Sequence, residues 1–171
     1  DAVVGANLTL DKPKLFIPGP THVDPDLLAS LAEYPVGHRS AQFSELYDEV
    51  VGGVQKVLFT SNRILLGTCS ATGLMEAAVR NTVQKRCANF VCGAFSKRWH
   101  EVTAACGIEC DSISVELGRA TKPEAVREAL ETGRYDAITV VHNETSTGVM
   151  NPIAEIAEVV REFSDVVILV D

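Results

Sequence analysis

Apolar runs of strand length alternate with helix-spaced stretches along most of this chain. That alternation restricts the possible folds more than any other feature. RILLGT (63–68) reads as a strand and GLMEAAVRNTV (73–83) as a helix. CANFVC (87–92) reads as a strand, SKRWHEVTAAC (96–106) as a helix and ECDSISV (109–115) as a strand. PEAVREALE (123–131) follows as a helix with proline in its first turn. DAITVVH (136–142), IAEIAEVVREF (153–163) and VVILVD (166–171) continue the series as strand, helix and strand. Such a series predicts βα units, hence an α/β fold with a mainly parallel sheet covered on both faces.

The front of the chain breaks this rhythm. Residues 1–14 read as a leader, and LFIPGPTHVDP (15–25) is rich in turn formers. Helical spacing appears at 26–34 and again from 41 to 58. These features set an N-terminal segment at 15–62 apart from the alternating part, 63–171. The chain stops at Asp171, on the C-terminal end of an apolar strand, where open α/β sheets place their ligand crevice. The expectation is therefore the front part of a longer protein.

Apolar residues make up 46 % of the sequence, enough for a sizeable core, and the formal net charge is −8. A pI near 5.0 argues against a nucleic-acid partner and against a basic membrane patch. The longest apolar run, near VVILV, is too short to span a bilayer, and the N-terminus carries neither a basic region nor a long apolar run of secretory type. Cys69, Cys87, Cys92, Cys106 and Cys110 show no C-x-x-C spacing. They read as reduced thiols in a cytoplasmic or organellar interior, not as a zinc site, so no metal is expected.

The chemistry concentrates where strands end. GTCSATG (67–73) opens a helix, and Ser70, Thr72 and the unpaired N–H groups there form an anion pocket favoured by the helix dipole. Ser, Thr and Gly are also ordinary cap residues, and taken alone the cap is the plainer reading. The stretch is neither G-x-G-x-x-G nor a Walker A loop, which leaves NAD and ATP unsupported. In CGAFSKRWH (92–100), Phe95 either presents a ring at the crevice or packs inward, while Trp99 reads as core. Asp171 either pairs with a cationic ring nitrogen or caps a following turn. VVHNETSTGVMNP (140–152) ends a buried strand in an acid, an amide and three hydroxyls.

An anion pocket, an aromatic face, a hydroxyl cluster and a strand-end carboxylate together fit pyridoxal 5′-phosphate (PLP). The sequence also resembles the class V, fold-type-I aminotransferases, specifically the serine–pyruvate / alanine–glyoxylate group. The resemblance runs from Leu15 to Asp171 on PGPTHVDPDLL, GHRSAQFSEL, SATGLMEAAVRN, GAFSKRW, HNETSTGVMNPI and VVILVD, in the family's order. It implies the three-layer αβα PLP-transferase large domain, incomplete at its C-terminal end, with the 15–62 helices near the active-site mouth or dimer interface. It also implies transamination between alanine or serine and glyoxylate or pyruvate, in a homodimer, with a peroxisome or mitochondrion among the possible compartments.

By position, Ser70, Ala71 and Thr72 correspond to the family's phosphate-binding turn and Phe95 to its ring-stacking aromatic. Thr145 falls where a hydroxyl bonds the cofactor's phenolic oxygen, and Asp171 where a carboxylate pairs with the pyridinium nitrogen. Glu144, Ser146 and Thr147 are expected to brace the Thr145 turn. Gly19 falls where a backbone group meets substrate, and Arg39 reads as a structural or interface ion pair. Ala71 departs from the family's usual glycine, which is tolerable if φ stays negative.

The resemblance places the Schiff-base lysine and the substrate-binding arginine beyond residue 171. None of Lys12, Lys14, Lys56, Lys85, Lys97 and Lys122 stands in the expected context. The competing readings are an aminoethylphosphonate transaminase, a cysteine desulfurase, or a catalytically inactive fragment or interaction subunit. A generic Rossmann-like nucleotide binder ranks last, since its glycine motif is missing.

Overall fold

The computed structural model describes residues 14–171. The expected leader at 1–14 therefore lies, apart from Lys14, outside the described residues. The chain divides into two compact units, the first ending at Leu65 and the second spanning Leu66–Asp171.

The first unit carries α1 (Pro25–Ser30) and α2 (Ala41–Val57). Asp24 caps α1 by accepting the Asp26 N–H, and Ser40 caps α2 by accepting the Phe43 N–H. The 26–34 helical pattern thus yields only a short helix that ends at Ser30. Neither helix contains a buried residue.

The second unit carries α3 (Ala71–Thr82), β1 (Cys87–Val91), α4 (Ala94–Ala105), β2 (Cys110–Ser114) and α5 (Pro123–Glu131). It continues with β3 (Ala137–Val140), β4 (Asn143–Glu144), β5 (Val149–Met150), α6 (Ile153–Val160) and β6 (Val167–Val170). The main sheet has the order β2-β1-β3-β6 with every pair parallel. β4 and β5 form a small antiparallel hairpin after β3. The strand expected at 63–68 is absent. A strand exists only through a backbone partner, and no described strand pairs with this run, whose Leu65 and Leu66 stay 78 % and 46 % exposed.

Alternation along the strands gives each face its own core. Ala88, Phe90, Ile138 and Val140 point towards α5 and α6, where they pack with Val126, Leu130, Ile156, Val159 and Val160. On the other face Met75 and Val79 of α3 meet Trp99 of α4 and Val141. Asn89, fully buried on this second face, donates to Thr103 of α4 at 3.2 Å and to Thr139 of β3 at 2.8 Å, so its amide is satisfied. Trp99 is 3 % exposed and belongs to the core, as its spacing suggested.

The cysteines are all unpaired. Burial, followed by the neighbouring Cys110, pushes the Cys87 thiol up to about 12, which makes it an inert packing group. No described helix is long and apolar enough to cross a membrane.

The strand order places the site. From β1 the chain runs outward through α4 to β2, then returns through α5 to β3 on the other side of β1. The direction of winding reverses between β1 and β3, and the crevice outside their carboxyl ends is where such sheets hold ligands.

Candidate functional site

Three segments converge on that crevice, all from the second unit. The first is the start of α3. Ser70 occupies its N-cap position with extended backbone, yet its hydroxyl makes no capping bond. Ala71 and Thr72 form the first turn of α3. The opening N–H groups of a helix lack internal partners, so this end offers free donors to an anion. The ordinary-cap reading of Ser70 therefore does not describe what its hydroxyl does.

The second segment is the turn from β1 into α4. Phe95 stands on the first turn of α4 with 47 % of its surface exposed, facing the crevice and not the core. The third segment follows β3. His142 donates its N–H to the Asp171 carbonyl at 2.8 Å, and Asp171 donates its own to the Val140 carbonyl at 3.2 Å. These bonds bring the end of β6 against the end of β3. Partial desolvation, followed by the charge of Glu144, pushes the Asp171 carboxyl above the usual range. Such a carboxylate gains from a cationic partner.

These segments enclose a cavity of about 640 Å3 whose lining includes Ser70, Ala71, Thr72, Phe95, Thr145 and Asp171. Every cofactor-binding residue expected from the sequence therefore reaches one cavity. Gly19 belongs to the first unit, on an exposed bend at 17–20.

Arg98 and Asn143 also line the cavity. Arg98 is the lining cation that sequence reasoning missed. The available signal was its position three residues after Phe95, which puts both on one helix face. Among the described residues, no group of three or more His, Cys, Asp or Glu side chains could hold a metal ion.

Two buried side chains tie together the segments around β1, β3 and β4. Glu144 is fully buried and accepts the N–H groups of Phe95 at 3.2 Å and Ser96 at 2.9 Å. It also accepts the hydroxyls of Ser96 at 2.8 Å and of Ser146. Desolvation works to raise its pKa, but the bonds from Ser146, Ser96 and Phe95 outweigh it and hold the carboxyl below the usual range. Asn151, 1 % exposed, accepts the Thr121 N–H at 2.7 Å and donates to the Val141 carbonyl at 2.6 Å. Thr147 donates to the Cys92 carbonyl at 3.2 Å.

The donor set suits a phosphorylated, flat, basic-nitrogen ligand. The Ser70 hydroxyl is unused by the helix, the α3 N-terminus favours an anion and Arg98 adds a positive charge. Phe95 offers an aromatic face, and Asp171 a carboxylate whose ionised form is unfavourable while unpaired.

Comparisons with known proteins identify the family. The aminotransferase class-V family model matches residues 15–171. An uncharacterized aminotransferase of Methanocaldococcus jannaschii is 41 % identical over 94 % of this chain and 42 % of its own length. A protein named as the small subunit of a soluble hydrogenase, from Synechococcus, is 36 % identical over 94 % of this chain and 43 % of its own. The serine–glyoxylate aminotransferase of Methylorubrum extorquens is 32 % identical over 85 % of this chain and 38 % of its own. Among solved structures, the alanine–glyoxylate aminotransferase of Nostoc superposes with a TM-score of 0.77 at 30 % identity, covering 96 % of this chain and 46 % of that one. The chain thus spans about two fifths of the length of the curated relatives it matches. With the family pattern running from Leu15 to Asp171 and the sheet of the fold-type-I transferases beneath it, the chain belongs to the class-V aminotransferases, whose cofactor is PLP.

Proposed function

We propose that the complete protein transfers an amino group between a small amino acid, alanine or serine, and a 2-oxo acid, glyoxylate or pyruvate. This chain supplies the half of the site that binds the cofactor's phosphate, ring and pyridinium nitrogen. One observation carries the reading. The unused Ser70 hydroxyl at a helix N-terminus, the half-exposed Phe95 ring, Thr145 and the desolvated Asp171 carboxyl line one cavity.

When bound, PLP supplies an electron-accepting ring that stabilises charge at the substrate α-carbon. The residues of this chain then have separate tasks. Ser70, Ala71 and Thr72 hold the phosphate through hydroxyl and backbone donors, with Arg98 adding charge. Phe95 covers one ring face and excludes water from it. Thr145 holds the phenolic oxygen by a hydrogen bond. Asp171 keeps the proton on the ring nitrogen, and its negative charge matters most when the ring is richest in electrons. The named activities of the Methylorubrum and Nostoc relatives favour glyoxylate as acceptor and serine or alanine as donor. A homodimer in an interior compartment accompanies this reading.

The test is the visible absorption of the full-length protein with PLP, before and after L-alanine or L-serine. A yellow band that bleaches with the amino acid and returns with glyoxylate or pyruvate is the expected result. A protein that takes up PLP and ignores both amino acids would overturn the substrate assignment.

A further inference from the structure

The network around Glu144 does more than satisfy a buried carboxylate. α4 begins at Gly93, which has no side chain with which to cap its own helix. The cap comes instead from 48 and 49 residues downstream, where Glu144 accepts the N–H groups of Ser96 and Phe95. Ser146 supplies the next acceptor, taking the Ala94 N–H at 2.9 Å. Ser96 completes the lattice by accepting from Cys92 at 2.9 Å and Gly93 at 3.0 Å while its hydroxyl donates to Glu144. The fit is close: a Cβ on Gly93 would lie 2.5 Å from Glu144 Cγ and Cδ and from Ser146 Oγ. The Gly93 backbone is extended, with φ of 174°, so this glycine is required for space and not for conformational freedom.

The two segments that Glu144 joins are those that carry Phe95 and Thr145. Phe95 donates its own N–H to the carboxylate, and Thr145 lies between Glu144 and Ser146 in the chain. We propose that Glu144 is a positioning residue, whose buried carboxylate fixes the spacing between the Phe95 ring and the Thr145 hydroxyl by locking the first turn of α4 to the turn after β4. This rests on the cofactor reading, because those two side chains are the proposed ring contacts. Most of the phosphate end lies outside the clamp, since Ser70, Ala71 and Thr72 belong to α3 and its cap, and Arg98 stands on α4 beyond the turn whose N–H groups Glu144 accepts.

The experiment uses the full-length protein with Glu144→Gln, which removes the charge and sets an amide NH2 against one of the two N–H groups, since Phe95 and Ser96 donate to different carboxylate oxygens. Affinities for PLP and for inorganic phosphate are measured alongside amide exchange at Phe95 and Ser96. The expected result is exchange at both amides faster by about tenfold or more, PLP affinity lower by about tenfold and phosphate affinity within about twofold of wild type. Asp136→Asn serves as control, because it removes a buried carboxylate at the opposite end of β3 and should leave the ratio of the two affinities unchanged.

Equal losses of PLP and phosphate affinity, or an equal PLP loss in the Asp136 control, would overturn the proposal. Ser146→Ala deletes one small group of the same lattice and covers the case in which Glu144→Gln does not fold. It should lower PLP affinity in the same direction by a smaller factor, and unchanged affinity would contradict the clamp. A wild-type protein without affinity for PLP would overturn the cofactor reading, while the exchange rates at Phe95 and Ser96 still decide for or against the clamp.

Discussion

Asp171 shows how one side chain links the sequence to chemistry. Its carboxyl stands at the end of β6, desolvated and in the field of Glu144, so its ionised form is held at a cost. A ring nitrogen bearing a proton removes that cost. Asp171→Asn keeps the shape and loses the charge. The expected outcome is a variant that still takes up PLP but whose turnover drops by about 10²–10³-fold, as for loss of other preorganised electrostatic partners. Steady-state kinetics beside a PLP titration would check this, and near-normal turnover would sink the role. The place of Asp171 at the crevice was legible in the sequence because an acid ending an apolar strand is unusual. Arg98 was not. An arginine on a helix that also carries Lys97 and Glu101 resembles a solvated face until the fold shows which side meets the crevice.

At the scale of elements, polar groups borrowed across the sequence hold the helix and strand ends. Asp136 precedes β3 and accepts the N–H groups of Gln84, Lys85 and Arg86 at 2.7, 2.8 and 2.9 Å, which fixes the entry into β1. Desolvation opposes its ionisation, yet the backbone donors together outweigh this and hold its pKa below the usual range. Glu144 shows the same balance at the start of α4. Both folded-state pKa values lie below the unfolded ones. The stability they contribute is therefore present above about pH 4 and lost as pH falls through the depressed values. Denaturant unfolding from pH 6 downward should show a midpoint that drops below about pH 4, and the drop should be shallower in Asp136→Asn. Asp136→Ala should cost about 3 kcal/mol at neutral pH, because three donors lose a charged acceptor. A pH-independent midpoint would contradict this account.

The same scale shows what a single sequence could and could not reveal. β1, β2, β3, β6 and α3 to α6 all appear where the change of period put them. The 63–68 run has equally apolar residues but finds no paired neighbour, and apolarity cannot supply one. The β4–β5 hairpin escaped detection for the opposite reason. Two residues per strand leave no alternation to read, and the buried acid at Glu144 looked like part of a polar turn.

Across the whole molecule, burial is uneven. Both hydrophobic clusters lie entirely within the second unit. α2 is the longest helix described and has no buried residue, and Leu46, Val50 and Val57 on it stay 46, 41 and 74 % exposed. Helices gain most of their stability from packing. In the 171-residue chain the amides of α2 should therefore exchange with solvent far faster than those of β1 and β3. Native-state hydrogen exchange would check this, and equal protection would contradict it.

The central claim is that the crevice at the β1/β3 reversal binds PLP, and Trp99 provides the most direct measurement. It is the single tryptophan of the chain, buried on α4 one turn beyond Phe95. The absorption of bound PLP overlaps tryptophan emission, so titrating PLP into the protein should quench Trp99 saturably. Competition by inorganic phosphate and weakening by Ser70→Ala and Arg98→Ala would place the ligand in this cavity. Trp99 emission that is indifferent to PLP, or quenching that neither phosphate nor these substitutions alter, would contradict the account.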